Sequence, residues 1–332
     1  MTWLAWRQLR FPVLSVHAAL VVVGVLLAIA RPGSGHADFH DQDTLYTAAL
    51  IAVPVLPALL GAFWAVPMIT RELEAGTHNL VWNQSVTRSR WLAVKLGLGA
   101  PAAMAAAGLL SLAVGWWAGL IDTAAELDTD SGFEPRIAPM ISAARGIAPV
   151  GYAAFAFVLG IAVAILVRRT VVAMAVTLVL YFAVQLLTSF VVRPHLVPPV
   201  EEAVALTARS IAGVRMQNGS GGEVIESLTV HRPAGSWVLA DETVDASGAA
   251  VVRLPDAVRG CLPPPPAGDA PPPDLEGMRG CLAQLADLGY RQRLTHHPAG
   301  HFWPLQWLEL ALYLVFSALL WWLSSHRLRH LS

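Results

Sequence analysis

Long apolar runs broken by short polar ones set the pattern of this chain. Phe11 to Ala30, Thr47 to about Ile69, Trp91 to Ile121, Ile147 to Val167, Thr170 to Val192 and Pro304 to Leu323 are the six longest. Each reaches roughly the 20 residues that a helix needs to cross about 30 Å of hydrocarbon. Loops and open sheet edges leave backbone groups unpaired in lipid, so every run is read as a helix. Pro54, Pro57 and Pro67 predict kinks in the second. Only Arg168 and Arg169 separate the fourth from the fifth, which calls for a tight reversal. The predicted fold class is an all-α polytopic membrane protein with six transmembrane helices.

Arginine placement orients these spans. With the N-terminus inside, the inner segments hold Arg7 and Arg10, then Arg71, Arg88, Arg90 and Lys95, then Arg168 and Arg169, and finally Arg327 and Arg329. The short outer loops carry mostly Asp and Glu. Basic residues near span ends concentrate on the cytoplasmic side, so both termini are expected there. Trp303, Trp307, Trp321 and Trp322 sit near the ends of the last run, as interfacial aromatics do. Arg7, Arg10 and Ala28-Ile29-Ala30 also fit a cleaved secretory signal. The apolar stretch between them is longer than such signals carry, and Trp3 and Trp6 precede it, which favours an uncleaved first span.

Composition strengthens the membrane reading. Charged residues make up 14% of the chain and hydrophobic residues 55%, against about 25% charge in soluble domains. That is too little charge to cover a water-facing surface of this size. The organisation expected is residues 1–192 for an amphipathic start and spans one to five, 193–303 for a polar insert, and 304–332 for the sixth span and a cytoplasmic tail. The insert falls on the extracytoplasmic side and should be a small mixed or β domain. Glu223 to His231 and Trp237 to Val244 alternate as strands do, while Pro263 to Pro266 and Pro271 to Pro273 favour extended chain. Cys261 and Cys281 are the two cysteines of the protein and both lie here. On an oxidising side they are expected to close that Pro-rich loop as a disulfide, with two unpaired thiols as the other reading.

The cytoplasmic loop between spans two and three reads TRELEAGTHNLVWNQSVTRSRW, Thr70 to Trp91. Arg71, Glu72 and Glu74 leave the membrane as a charged turn that Gly76 can end in a left-handed conformation. Leu80, Val81 and Trp82 then stand together among polar residues. A solvated loop accounts for the charges but less well for that apolar group, which could lie on the membrane surface or dock on a partner. Arg88, Arg90 and Lys95 are read as anchors near the lipid head groups.

These residues carry a family resemblance. Arg71-Glu72-Leu73-Glu74-Ala75-Gly76-Thr77, Trp82-Asn83-Gln84-Ser85, Thr87-Arg88-Ser89-Arg90-Trp91 and Lys95 resemble the permease subunits of type-2 ABC transporters, particularly the actinobacterial branch. Trp6-Arg7-Gln8 and Phe302-Trp303-Pro304-Leu305-Gln306 with Glu309 look similar as well. The resemblance implies a helical subunit of the bacterial plasma membrane, pairing with a second permease chain as a homo- or heterodimer. A separate cytoplasmic ABC ATPase subunit would bind ATP and Mg and drive transport, with export favoured. Arg71, Glu72, Glu74, Gly76, Thr77, Leu80 and Trp82 would form the coupling element to it. The start of the chain, Trp3 to Arg10, would lie along the inner surface. The long external insert departs from compact relatives and leaves the substrate open.

The chain itself is not expected to be an enzyme or to hold a cofactor. It contains no G-x-x-x-x-G-K-[ST], H-E-x-x-H or G-x-S-x-G run. Nucleic acid is not among the expected partners. His296, His297 and His301 lack ligand spacing and a carboxylate partner, so no metal site is expected. Polar groups inside spans are costly and mark function by default. Glu309, Gln185 and His17 are therefore weak candidates for a substrate path, against snorkelling to the interface or an arginine pair for Glu309 and interhelical hydrogen bonds for the others. A non-transporting membrane immunity or sensor protein with an external ligand-binding domain is the alternative reading.

Overall fold

In the computed structural model, residues 2–31, 43–76, 87–127, 133–219, 222–251, 261 and 275–329 are described. Among the described residues, six helices are long and apolar enough to cross a membrane. They are span one (Leu9–Ile29), span two (Thr44–Glu74), span three (Ser89–Glu126), span four (Ala148–Val167), span five (Thr170–Leu196) and span six (Ala299–Arg327). The chain divides into a helical unit holding all six and a smaller unit of Glu126–Gly132 with Pro198–Ala299.

Span four is the core of the helical unit. Its most apolar window is 78% buried, against 6% for span one and 22% for spans five and six. Hydropathy does not distinguish it from span one, but its small residues Gly151, Ala153, Ala156, Gly160 and Ala164 are buried and let neighbouring helices approach closely. Spans one, five and six keep broad apolar faces uncovered, for lipid or another chain.

Small residues let span two reach span four. A Cβ on Gly61 would lie 2.4 Å from the Ala156 carbonyl oxygen, and one on Gly160 would lie 2.4 Å from the Gly61 oxygen. Ala156 and Gly160 are four apart on one face, the small-xxx-small spacing that brings backbones together in lipid. Gly99 makes room in span three for the Phe157 ring in the same way.

The prolines of span two do not break it. Pro54 and Pro57 lie within helix Asp43–Leu60, a π turn follows at Gly61–Ala65, and helix resumes at Val66–Glu74 with Pro67 in its first turn. Each proline lacks the N–H that would bond to the preceding turn, and the wide turn ahead of Pro67 takes up the irregularity. Span five has a second π turn, Thr188–Val192, and then continues as helix through Arg193–Leu196. The polar segment opened at Arg193 in the sequence, yet Arg193 is a bundle residue, 1% exposed.

Among the described residues the smaller unit has five strands, β1 (Val200–Ala205), β2 (Ile211–Gly219), β3 (Gly222–Val230), β4 (Trp237–Val244) and β5 (Arg291–His297). β5 is the centre of an antiparallel sheet in the order β1-β5-β4, and β2 and β3 form a separate hairpin. Gln292 of β5 links the two. Its Nε2 donates to the Leu228 carbonyl at 2.9 Å and to Asp241 Oδ1 at 2.5 Å, while its Oε1 accepts from Thr243 Oγ1 at 2.9 Å. Cys261 and Cys281 are joined as a disulfide, Cα atoms 5.5 Å apart, against Leu206, Leu228, Leu282 and Leu285. His297 is fully buried, its ring 5.3 Å from that of Trp237. Among the described residues no three His, Cys, Asp or Glu side chains come together as a metal would need.

Candidate functional site

The segment that leaves span two sits where three helices end or begin, and its carboxylates are already engaged there. The last helix of span two runs to Glu74, and Gly76 takes φ +67° to end it. That is the left-handed conformation glycine adopts without strain. Thr77, Leu80 and Trp82 of the predicted coupling element lie outside the described residues. Arg71, Glu72, Glu74 and Gly76 lie within them.

Glu72 turns inward to span three. Its Oε1 is 2.7 Å from Lys95 Nζ, and its Oε2 accepts from Trp91 Nε1 at 3.0 Å. Lys95 also donates to the Met68 carbonyl at 2.6 Å, and its Nζ lies 4.6 Å from the centre of the Trp91 ring. The sequence suggested Lys95 as an anchor among head groups. It is instead 3% exposed. A buried ammonium without a counter-ion is prohibitive, whereas one with a carboxylate, a carbonyl and an aromatic face is held in place. The signal available in sequence was slight: a lone lysine four residues after Trp91, on the same helix face, next to a segment rich in glutamate.

Glu74 turns to span five. Span four ends at Arg168, which adopts φ +57°, and Arg169 is extended, so the chain reverses within two residues. Span five then starts at Thr170 without a cap from its own preceding side chain, because arginine cannot accept a hydrogen bond. Glu74 Oε1 does the capping from another helix, accepting from Thr170 N at 2.8 Å and Thr170 Oγ1 at 3.1 Å. A carboxylate at a helix N-terminus also meets the positive end of the helix dipole. Thr70 Oγ1 lies 2.6 Å from Thr170 Oγ1, a second tie between the same two helices. Glu72 and Glu74 thus fasten span two to spans three and five from within a single turn. Arg71, by contrast, is exposed.

A second polar cluster lies at the opposite end of spans five and six. Glu309 is fully buried and ion-paired with Arg193 Nη1, and its Oε1 accepts from Tyr152 Oη at 2.5 Å. Tyr152 meets Tyr313 edge to face, with centroids 4.8 Å apart, and Tyr313 Oη donates to Gln185 Oε1 at 2.8 Å. Of the three suggested path residues, Glu309 and Gln185 therefore share one network across spans four, five and six. His17 does not join it: its Nδ1 lies 2.8 Å from the Val13 carbonyl of its own helix. The sequence analysis offered an arginine partner for Glu309 but did not identify Arg193, which it placed at the start of the polar insert.

Gln306 performs for span four what Glu74 performs for span five. Its Oε1 accepts from Ile147 N at 3.0 Å and Ala148 N at 2.8 Å, and its Nε2 donates to the Ser142 carbonyl at 3.0 Å. Spans four and five are thus both capped by side chains from other spans. Arg145 and Asp122 form a further buried pair, Nε to Oδ2 2.9 Å, tying the short segment before span four to span three.

The model of the family described as ABC-2 membrane transporter related matches residues 28–193, from the end of span one through Arg193. No curated protein matches the chain, and no solved structure does.

Proposed function

Because the chain belongs to the ABC-2 membrane transporter related family, we propose that it is the transmembrane permease subunit of an ABC exporter. Six apolar helices make it a multi-pass membrane protein, and the family is one of transporter components rather than of catalysts. A separate cytoplasmic ATPase, carrying ATP and Mg, docks on the segment 70–91 and supplies the work. A second permease chain, identical or related, completes the pathway. The arginine-rich end of the bundle faces the cytoplasm of a bacterial cell and the smaller unit faces outward.

The observation that carries this reading is the double fastening by Glu72 and Glu74. ATPase closure must become helix movement, and a loop joined to one helix would only bend. Here the segment that leads into the loop is bonded to spans three and five as well as continuous with span two. A push on the loop therefore moves three helices together and shifts the balance between inward-open and outward-open states. The apolar group Leu80 and Trp82 supplies the contact for the partner, and Arg71 the exposed charge.

Testing the docking role requires residues that do not also hold the bundle. Reversing Glu72 would set a second cation against buried Lys95 and disturb packing first. Affinity purification from native membranes with the variants Arg71→Glu and Leu80→Asp with Trp82→Asp separates the two effects. We expect the wild-type chain to bring down an ATPase whose hydrolysis it stimulates. The variants should insert normally but lose that partner or its stimulation. A wild-type preparation that holds no ATPase under conditions preserving membrane complexes would transfer the assignment to the non-transporting class.

A further inference from the structure

Two grooves open at the arginine-rich end of the helical unit, and they share one design. The first, about 350 Å³, lies between spans one and two, with walls from Leu9, Pro12, Phe63, Pro67 and Met68 and with Arg71 at its edge. The second, about 210 Å³, lies between spans four and six, with walls from Ile165, Leu166, Leu320 and Leu323 and with Arg327 at its edge. Arg71 and Arg327 are both exposed, and each stands within the last turn or so of its span. Glu72 also borders the first groove, but its carboxylate is held by Lys95 and Trp91. It therefore does not cancel the charge of Arg71.

We propose that both grooves are binding sites for an anionic phospholipid of the inner leaflet, with an acyl chain along the apolar wall and the phosphate on the arginine. Charge complementarity selects the occupant. An apolar wall by itself would take any lipid chain. A guanidinium at the depth of the head groups adds a planar pair of donors that matches a phosphate oxygen pair. A net negative lipid keeps a charge for the arginine, while a zwitterionic one brings its own cation to compete. The neighbouring apolar side chains Phe63, Leu166 and Leu323 are each more than half exposed and extend the wall outward to where chains lie. The inference rests on the cytoplasmic placement proposed above for this end of the bundle, not on transport, and it concerns the chain without its ATPase, where the partner does not compete for Arg71.

The experiment is native mass spectrometry of the full-length chain in detergent, titrated with phosphatidylglycerol, phosphatidylcholine or water-soluble glycerol phosphate. Two phosphatidylglycerol molecules per chain should be retained beyond the phosphatidylcholine background. Arg71→Gln and Arg327→Gln should each weaken one site about fivefold, the effect of one basic residue near an anionic surface. Arg71→Lys and Arg327→Lys keep the charge but lose the paired donors, so their affinity should fall between wild type and the glutamine variants, and all four should retain the wild-type circular dichroism and elution. Equal retention of phosphatidylcholine and phosphatidylglycerol by the wild-type chain would overturn the proposal without reference to any variant. So would unchanged retention by both glutamine variants, or binding of glycerol phosphate as tight as that of the lipid.

Discussion

Removing Arg193 while leaving Glu309 in place isolates what the buried pair contributes. Both side chains are 1% exposed, so Arg193→Met strands a carboxylate where water cannot reach it. Breaking a buried pair from one side costs about 3–5 kcal/mol. Tyr152 keeps its hydrogen bond to Glu309 in the variant, and such a charge-assisted bond is worth about 1.5–3 kcal/mol. The expected loss is therefore toward the lower bound, about 3 kcal/mol. Glu309→Gln added to Arg193→Met removes the stranded charge and keeps an acceptor for Tyr152, so the double variant should recover most of that loss. Unfolding in mixed micelles, followed by tryptophan fluorescence through the full cycle of single and double variants, measures the coupling. Additivity within about 0.5 kcal/mol would refute the pair as a unit. Transport by the same double variant decides its role. A chain that is stable again and active marks the pair as structural, whereas one that is stable and inactive places Glu309 on the substrate path.

Two further outcomes follow from the packing of spans two, four and five. Glu74→Ala leaves Thr170 without its cap and should lower stability by about 0.5–2 kcal/mol. Because the lost bond joins spans two and five, ATPase stimulation should fall more than stability does, read as hydrolysis per folded complex. Gly160→Leu drives a Cβ to 2.4 Å from the Gly61 oxygen and should abolish the folded, detergent-soluble form in size-exclusion chromatography. Leu319→Ala, on an exposed face of span six, should leave that form intact.

The apolar spans were legible because hydropathy is a local property. A stretch long enough to cross lipid announces itself, and the structure moves the ends by only a few residues, such as Phe11 against Leu9 or Val192 against Leu196. The resemblance carried by Arg71 to Lys95 pointed to the same family that matches residues 28–193. The strand alternation of Trp237 to Val244 was also local, and β4 occupies those residues.

What the sequence could not determine is which polar groups meet. Lys95 read as a surface anchor because lysines near span ends usually reach for water; its burial depends on Glu72, 23 residues earlier, arriving beside it. Arg193 read as the start of a polar segment because nothing nearby announces Glu309, 116 residues later. Glu74 read as part of a charged turn and Gln306 only as part of the family resemblance, yet they cap helices 96 and 158 residues away. No periodicity connects such positions. Hydrophobicity decides from the sequence alone that these helices enter a membrane. Only tertiary packing decides how their few charges are neutralised there, because a buried charge is tolerable only beside a partner that the folded chain delivers.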